Sequence, residues 1–270
     1  MAEPLIEARD LRLALPDLNA RPLFGAAPRV EILKGLSFDV ARGRVLGIVG
    51  ESGSGKSTLG RCLVRLLEPT GGTLRFDGDD ITHADTRALK RHRRDLQMIF
   101  QDPMSSLNPR HSVLRLVEAP MRLYGVANAE DRAREVLERV QLGGAFARRY
   151  PHQLSGGQRQ RVGIARALAL SPRFILADEI VSGLDVSTQA QIIRLLERLV
   201  DEMDLTLAFI SHDLSVIRRL CHEVIVLRAG EIVEAGPTAE VFAAPKHPYT
   251  AELKAAIPLP DPDAGWLSQP

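Results

Sequence analysis

An α/β fold with a largely parallel sheet is the class this sequence predicts, on three observations. Short apolar runs of strand length alternate with amphipathic runs of helical spacing along most of the chain. A glycine-rich segment, "GESGSGKST" at 50–58, lies between the apolar run "VLGIV" and a second run that starts at Leu59. Over 270 residues, 45% hydrophobic and 26% charged, there is enough apolar surface for one large core, so residues 1–257 are expected to form one domain.

The candidate strands are 44–49 ("RVLGIV"), 96–100 ("LQMIF"), 174–178 ("FILAD") and 205–210 ("LTLAFI"). Helices are expected to begin at Lys56, Gly157, Ser187 and Asp213. In the third of these, Ile192, Leu195, Leu196, Leu199 and Val200 recur at helical spacing, so one face packs on the sheet. Residues 5–13 and 36–40 read as strands of an antiparallel edge. Between 111 and 150, "HSVLRLVEAPMRLY" and "AEDRAREVLERVQL" follow each other with no strand between them; with the helix after them they make a helical insert over about 111–170. From Pro258 the prolines recur without apolar period, and 258–270 is expected to be a flexible tail.

Several classes of function are disfavoured at once. Lys and Arg total 35 against 34 Asp and Glu, so the net charge near +1 gives no long-range pull toward nucleic acid or anionic lipid. The one basic run, "RALKRHRRD" at 87–95, has no interleaved aromatics to stack bases and reads as a solvated helix face, so no nucleic-acid partner is expected. The acidic "MAEPLIEARD" start lacks the charge and apolar core of a secretory signal, and no apolar run approaches the roughly 20 residues of a membrane span. Cys62 and Cys221 are isolated and are expected to be buried thiols.

Gly50, Gly55, Lys56 and Ser57 fit G-x-x-x-x-G-K-[ST], with a strand before and a helix after, as that motif requires. Glycines let the backbone wrap phosphate oxygens, and the helix N-terminus adds a positive dipole end. Gly50, Glu51, Ser52, Gly53, Ser54, Gly55, Lys56, Ser57 and Thr58 are therefore expected to hold a nucleoside triphosphate, with Lys56 on the β- and γ-phosphates and Ser57 on Mg²⁺. No Asn-Lys-x-Asp occurs, which removes the guanine-selecting motif of GTPases.

Beyond the loop stand "LSGGQRQR" from Leu154 and "FILADE" from Phe174. Together with the loop they resemble the nucleotide-binding subunit of ABC transporters over nearly the whole chain. The resemblance implies a P-loop NTPase (RecA-like) core with an antiparallel β subdomain and a helical insert. It implies ATP and Mg²⁺ as ligands, and ATP hydrolysis as the activity. Ser155, Gly156, Gly157 and Gln158 would contact nucleotide bound to a second, identical or homologous ATPase subunit in a head-to-tail dimer. Asp178 resembles the aspartate that supports Mg²⁺, and Glu179 the residue that polarises the attacking water. Gln101 in "FQDP" resembles the Q-loop glutamine, which touches Mg²⁺ or water. His212 in "FISHDL" resembles the switch histidine on the γ-phosphate. Asp185 in "SGLD" resembles the D-loop aspartate of the dimer interface.

Three departures from the family pattern stand out. Ile180 replaces the usual Pro and Gly183 a frequent Ala, which predicts a more mobile interface loop. The aromatic that commonly stacks adenine is missing from "LRLALPDL", leaving Leu13 or Leu15 as apolar contacts and Phe24 nearby in sequence. "GRVLGIVGESGSGKST", "QMIFQDPMSSLNPR" and "PKHPYTAEL" resemble the importers of peptides, dipeptides and nickel. Many members of that branch carry a C-terminal cysteine cluster; none follows Cys221, so no iron–sulfur cluster is expected. The resemblance implies transmembrane permease subunits as partners, an extracytoplasmic solute-binding protein indirectly, and a peripheral location on the cytoplasmic face of the inner membrane. Two alternatives stay open: a soluble ABC ATPase of a non-transport complex, such as a carbon–phosphorus lyase accessory factor, and a regulatory nucleotide-binding partner.

Overall fold

The computed structural model describes residues 3–17, 25 and 27–256. Phe24 and the 258–270 segment, both discussed above, lie outside them. Two long strands open the chain, β1 (Pro4–Pro16) and β2 (Arg29–Ala41), longer than the 5–13 and 36–40 of the sequence reading because bulges let pairing continue past each irregularity. β3 (Val45–Val49) runs into the glycine-rich loop and α1 (Lys56–Leu63). A short hairpin follows, β4 (Gly71–Phe76) with β5 (Asp79–Asp80), then α2 (Thr86–His92) and β6 (Leu96–Ile99). Phe100, assigned to the strand from sequence, is 39% exposed and lies beyond it.

After β6 come α3 (Pro103–Ser106), α4 (Val113–Leu123), α5 (Ala129–Arg139) and α6 (Gly156–Leu168), with no strand among them. Ser112 caps α4 by accepting from the Arg115 amide, the local chemistry that starts a helix there. The chain then alternates β7 (Phe174–Asp178), α7 (Val186–Met203), β8 (Thr206–Ile210), α8 (Leu214–Leu220) and β9 (Glu223–Arg228). It closes with β10 (Glu231–Pro237), α9 (Thr238–Ala243) and α10 (Pro248–Ala255). β4, β5, β9 and β10 were absent from the sequence reading.

Two sheets result. One is antiparallel, in the order β2-β1-β4-β5; the other has the order β10-β9-β3-β8-β7-β6, with β10 antiparallel and the rest parallel. The parallel strands are buried on both faces. Leu46, Ile48, Phe174, Leu176, Ala208 and Ile210 turn toward α1 and the antiparallel sheet, while Val45, Val49, Ile175, Ala177, Leu207 and Phe209 turn toward α4–α8. That is why these strands read as unbroken apolar runs instead of alternating ones. Cys62 and Cys221 are buried within this packing, and burial pushes the Cys62 thiol up to about 12, despite nearby Arg65, so it stays protonated. The basic run is an exposed face of α2 whose Leu89 and His92 turn inward, His92 edge-on to Phe76 with ring centroids 5.8 Å apart.

The two layers are also tied by charge. The Asp77 carboxylate, after β4, accepts hydrogen bonds from Arg173, before β7, and from Arg42, and these hold its pKa at about 2. A carboxylate depressed on folding stabilises the chain above its unfolded pKa, and that contribution is lost as pH falls through the folded value. We therefore expect Asp77 to contribute fully above about pH 4 and progressively less down to about pH 2. Urea melts across this range should show Asp77→Asn flattening that part of the stability curve; an unchanged slope would show that the two arginines do not act on the carboxylate in solution.

Candidate functional site

Parallel pairing sets the strands side by side, so their C-terminal ends share one edge. Ile48 of β3 pairs with Ile210 of β8, Ile210 with Asp178 of β7, and Ala177 of β7 with Ile99 of β6. Directly beyond those ends stand the 50–58 loop, Ser211 and His212, Glu179, and Gln101. The edge beyond strand C-termini is where open α/β sheets place their ligands.

The loop is shaped by close approach. Gly50 has φ +148, and a Cβ on it would fall 2.1 Å from the Leu227 carbonyl oxygen, so only glycine fits. Lys56 is buried, and its Nζ donates to two carbonyls of the loop, Gly50 O at 2.8 Å and Glu51 O at 2.7 Å. Burial pulls its pKa down, while Glu179, Asp178 and Glu51 pull it up. Ser57 Oγ donates to Asp178 Oδ1 at 2.9 Å. Asp178 is buried, and burial raises its pKa against the opposing Ser57 hydrogen bond and Arg61 charge. A hydroxyl and a carboxylate oxygen side by side form the hard-oxygen donor set that suits Mg²⁺, so the residues fit that ion. The buried Ser54 hydroxyl has no hydrogen-bond partner among the described residues and remains an unused donor in the loop.

Glu179 meets two of the other candidates. Gln101 Nε2 donates to its Oε2 at 3.0 Å, and His212 Nδ1 lies 3.9 Å from the same oxygen. Its own amide donates to Ile210 O at 3.0 Å across the sheet, so the backbone is anchored just where the side chain leaves the strand. The anchored conformation is left-handed, φ +49, a strained state for a residue with a Cβ.

The remaining candidates lie at the starts of α6 and α7. Ser155 caps α6, its Oγ accepting from the Gln158 amide at 3.3 Å while Gln158 Oε1 accepts from the Ser155 amide at 3.0 Å, a reciprocal capping box. Gly156 approaches Leu184, and Gly157 packs on Thr188, so this helix start adjoins the 182–188 turn. Asp185 caps α7 by accepting from the Thr188 amide and from the Ser187 and Thr188 hydroxyls, which together hold its carboxyl well below the usual range. Among the described residues, no hydrogen bond ties 155–158 to the 50–58 loop. Ile180 is buried in the core, and Gly183 sits at φ +75, a left-handed turn position that glycine fills without strain. The reading of Leu13 as a base contact needs correction: it is 1% exposed, inside the core between the two sheets, whereas Leu15 is half-buried at the edge of that core.

One contact had been missed. The Glu51 amide donates to the Tyr249 hydroxyl at 2.8 Å, bringing the "HPYT" stretch to the glycine-rich loop.

A parallel sheet whose strand ends present a phosphate-shaped loop, a hydroxyl–carboxylate pair and a water-facing carboxylate defines a P-loop nucleotide-binding ATPase. Comparison with known proteins narrows the class. Residues 33–182 match the ABC transporter family, and residues 233–270 match the C-terminal region of oligopeptide/dipeptide transporters. The chain is 51% identical over 238 residues to a Brucella ovis protein whose name assigns it to peptide import as an ATP-binding protein, spanning 87% of this chain and 75% of that one. It is 48% identical over 264 residues to the glutathione import ATP-binding protein of Salmonella paratyphi A, spanning 96% of this chain and 42% of that longer one. Among solved structures, the ATP-binding cassette MJ0796, seen as a dimer in a post-hydrolysis state with ADP and phosphate, superimposes with a TM-score of 0.74 at 32% identity, covering 86% of this chain and 98% of that one. A Clostridium perfringens cassette of a cbiONQ transporter gives 0.75 at 27% identity, covering 89% and 91%. The chain belongs to the ABC transporter ATPase family.

The strained backbone at Glu179 generates a prediction about stability alone. Glu179→Gly should raise the free energy of unfolding by about 0.5–1 kcal/mol, the relief of left-handed strain less the extra flexibility of the unfolded glycine. Urea denaturation checks this; a lower midpoint would mean that the side-chain contact to Gln101 outweighs the strain.

Proposed function

We propose that this chain is the ATP-hydrolysing, energy-coupling subunit of an importer for peptides or related small solutes. The observation that carries the proposal is the arrival of Lys56, Ser57, Asp178, Glu179, Gln101 and His212 at one edge of one sheet, from the ends of four elements or the turns beyond them. The peptide class rests on the match of residues 233–270 and on the names of the relatives.

In this reading the 50–58 amides cradle the phosphates of ATP, and Lys56 leaves its two carbonyls to lie along the β- and γ-phosphates. Mg²⁺, held by Ser57 and Asp178 with Gln101 as a further ligand, would neutralise phosphate charge. Glu179 takes a proton from the attacking water. His212 donates to the γ-phosphate oxygen, and Gln101, bonded to Glu179, reports the state of that carboxylate toward the helical insert. Ser155, Gly156, Gly157 and Gln158 contact nucleotide on a second ATPase subunit, with Asp185 along the interface, so that ATP closes the pair and hydrolysis reopens it. Among the described residues no helix is long and apolar enough to cross a membrane. Motion of the closing pair would therefore act on separate permease subunits from the cytoplasmic face, with an extracytoplasmic binding protein delivering cargo.

Glu179→Gln should bind ATP as tightly as the parent while phosphate release falls at least about 100-fold, the loss typical of a missing general base. Reconstituted in proteoliposomes with its permeases and binding protein, the parent should hydrolyse ATP faster when short peptides are supplied. Normal turnover by the glutamine variant would remove Glu179 from its role, and hydrolysis indifferent to peptides would sink the cargo class.

A further inference from the structure

The outer side of the nucleotide loop is held by the C-terminal third of the chain. The Gly230 amide, in the turn between β9 and β10, donates to Ser54 O at 3.0 Å. The Glu51 amide donates to Tyr249 Oη at 2.8 Å, across 198 residues of sequence. Tyr249 is fully buried, with the Arg228 guanidinium 5.0 Å from its ring centroid. Burial raises its pKa, so a neutral phenol accepts this bond. The segment that carries it is itself fixed. Both carboxylate oxygens of Glu234 accept from main-chain amides, Lys246 N at 2.9 Å and His247 N at 3.1 Å, and His247 Nδ1 accepts from the Tyr249 amide at 3.1 Å. Further along α10, Leu253 with Ala256 walls a cavity of about 370 Å³ whose other lining includes Gly50 and His212.

The peptide group that Tyr249 touches is the one that matters most for Lys56. A peptide is planar, and its N–H and C=O point in opposite directions. The amide of Glu51 and the carbonyl of Gly50 belong to the same plane; Tyr249 holds the first and Lys56 Nζ bonds the second at 2.8 Å. Fixing one end of the plane aims the other. Gly50 carries no side chain that could anchor that plane, since a Cβ there would meet the Leu227 carbonyl, so the plane depends on its hydrogen bonds.

We propose that Tyr249 is a positioning residue for the nucleotide loop, holding the Gly50–Glu51 peptide in the orientation from which Lys56 engages phosphate. The proposal rests on nucleotide binding at 50–58. Without the hydroxyl the loop samples other orientations, and apparent affinity falls by the fraction that remains competent. A neutral hydrogen bond of ordinary strength corresponds to about fivefold in that fraction. Once nucleotide is bound the loop is held by phosphate, so turnover at saturation keeps its rate.

The test compares parent, Tyr249→Phe and Lys254→Ala, all full-length, by titration with a fluorescent ATP analogue and by steady-state phosphate release, at a temperature where each is fully folded. Tyr249→Phe keeps the ring and its Arg228 contact. Its dissociation constant and its KM for ATP should rise about fivefold, with kcat within twofold of the parent. Lys254→Ala, which removes only an exposed side chain bonded to Ala243 O on the same segment, should match the parent in both. Unchanged affinity in Tyr249→Phe, a fall in kcat with affinity intact, or an equal loss in Lys254→Ala would each overturn the proposal. Failure of the parent itself to bind ATP would overturn this inference together with the reading of the loop, whereas a parent that binds beside an unaltered Tyr249→Phe sinks the inference alone.

Discussion

A buried ammonium with no carboxylate bonded to it among the described residues governs this structure. Lys56 lies inside the glycine-rich loop and donates to two main-chain carbonyls, while the nearest carboxylates act on it only through space. Carbonyl dipoles compensate a buried cation only in part, so such a group is costly unless an anion can reach it. The fold accepts this cost because its other terms hold the lysine in place: a strand buried on both faces before it, a helix after it, and a glycine pressed against the Leu227 carbonyl at the loop's first turn. The same logic applies to Asp178, a buried carboxylate whose hydrogen bond comes from the neutral Ser57 hydroxyl and not from Lys56. Cation and anion are kept apart, each on neutral partners.

The parallel sheet turns this local arrangement into a site. Register between β3, β8, β7 and β6 brings the loop, His212, Glu179 and Gln101 to one edge, although they are spread over more than half the chain. Because each strand is covered on both faces, none can slide without moving a full row of side chains out of its packing. The left-handed backbone at Glu179 is the strained point in this edge, and the sheet imposes it through the amide bond to Ile210.

How much of this could be read from the residues alone depends on the range of the interaction. β3, β7 and β8 were legible because double burial makes them unbroken apolar runs, and the helix starts were placed to within one residue because Ser155, Asp185 and Asp213 cap them locally. β9 escaped because its short apolar run follows directly on α8, and β10 because Glu234 interrupts its apolar residues and Gly236 and Pro237 end it, as an edge strand tolerates. Leu13 was misread because its inward turn shows only against its neighbours, with Arg12 exposed and Leu11 buried beside it on a pleated strand. The loop lysine, the hydroxyl and the carboxylates were recognisable as types at fixed spacing. What pairs with what, such as Gln101 with Glu179 or Tyr249 with Glu51, was not, since no local pattern encodes a partner 78 or 198 residues away.

The C-terminal match begins at residue 233, and the physical role of the segment begins at the next position. Glu234 lies on β10, already part of the parallel sheet's edge, and its carboxylate ties down the turn before α10. From there His247 orders the helix start, and Tyr249 reaches the loop. Sheet, turn, helix and loop thus form one continuous chain of bonds in which no link is a flexible surface contact of two long side chains. An appendage attached only by such contacts would move independently of the site. A segment attached by main-chain amides and a buried aromatic shares the rigidity of the sheet, so the loop is built from both ends of the sequence at once.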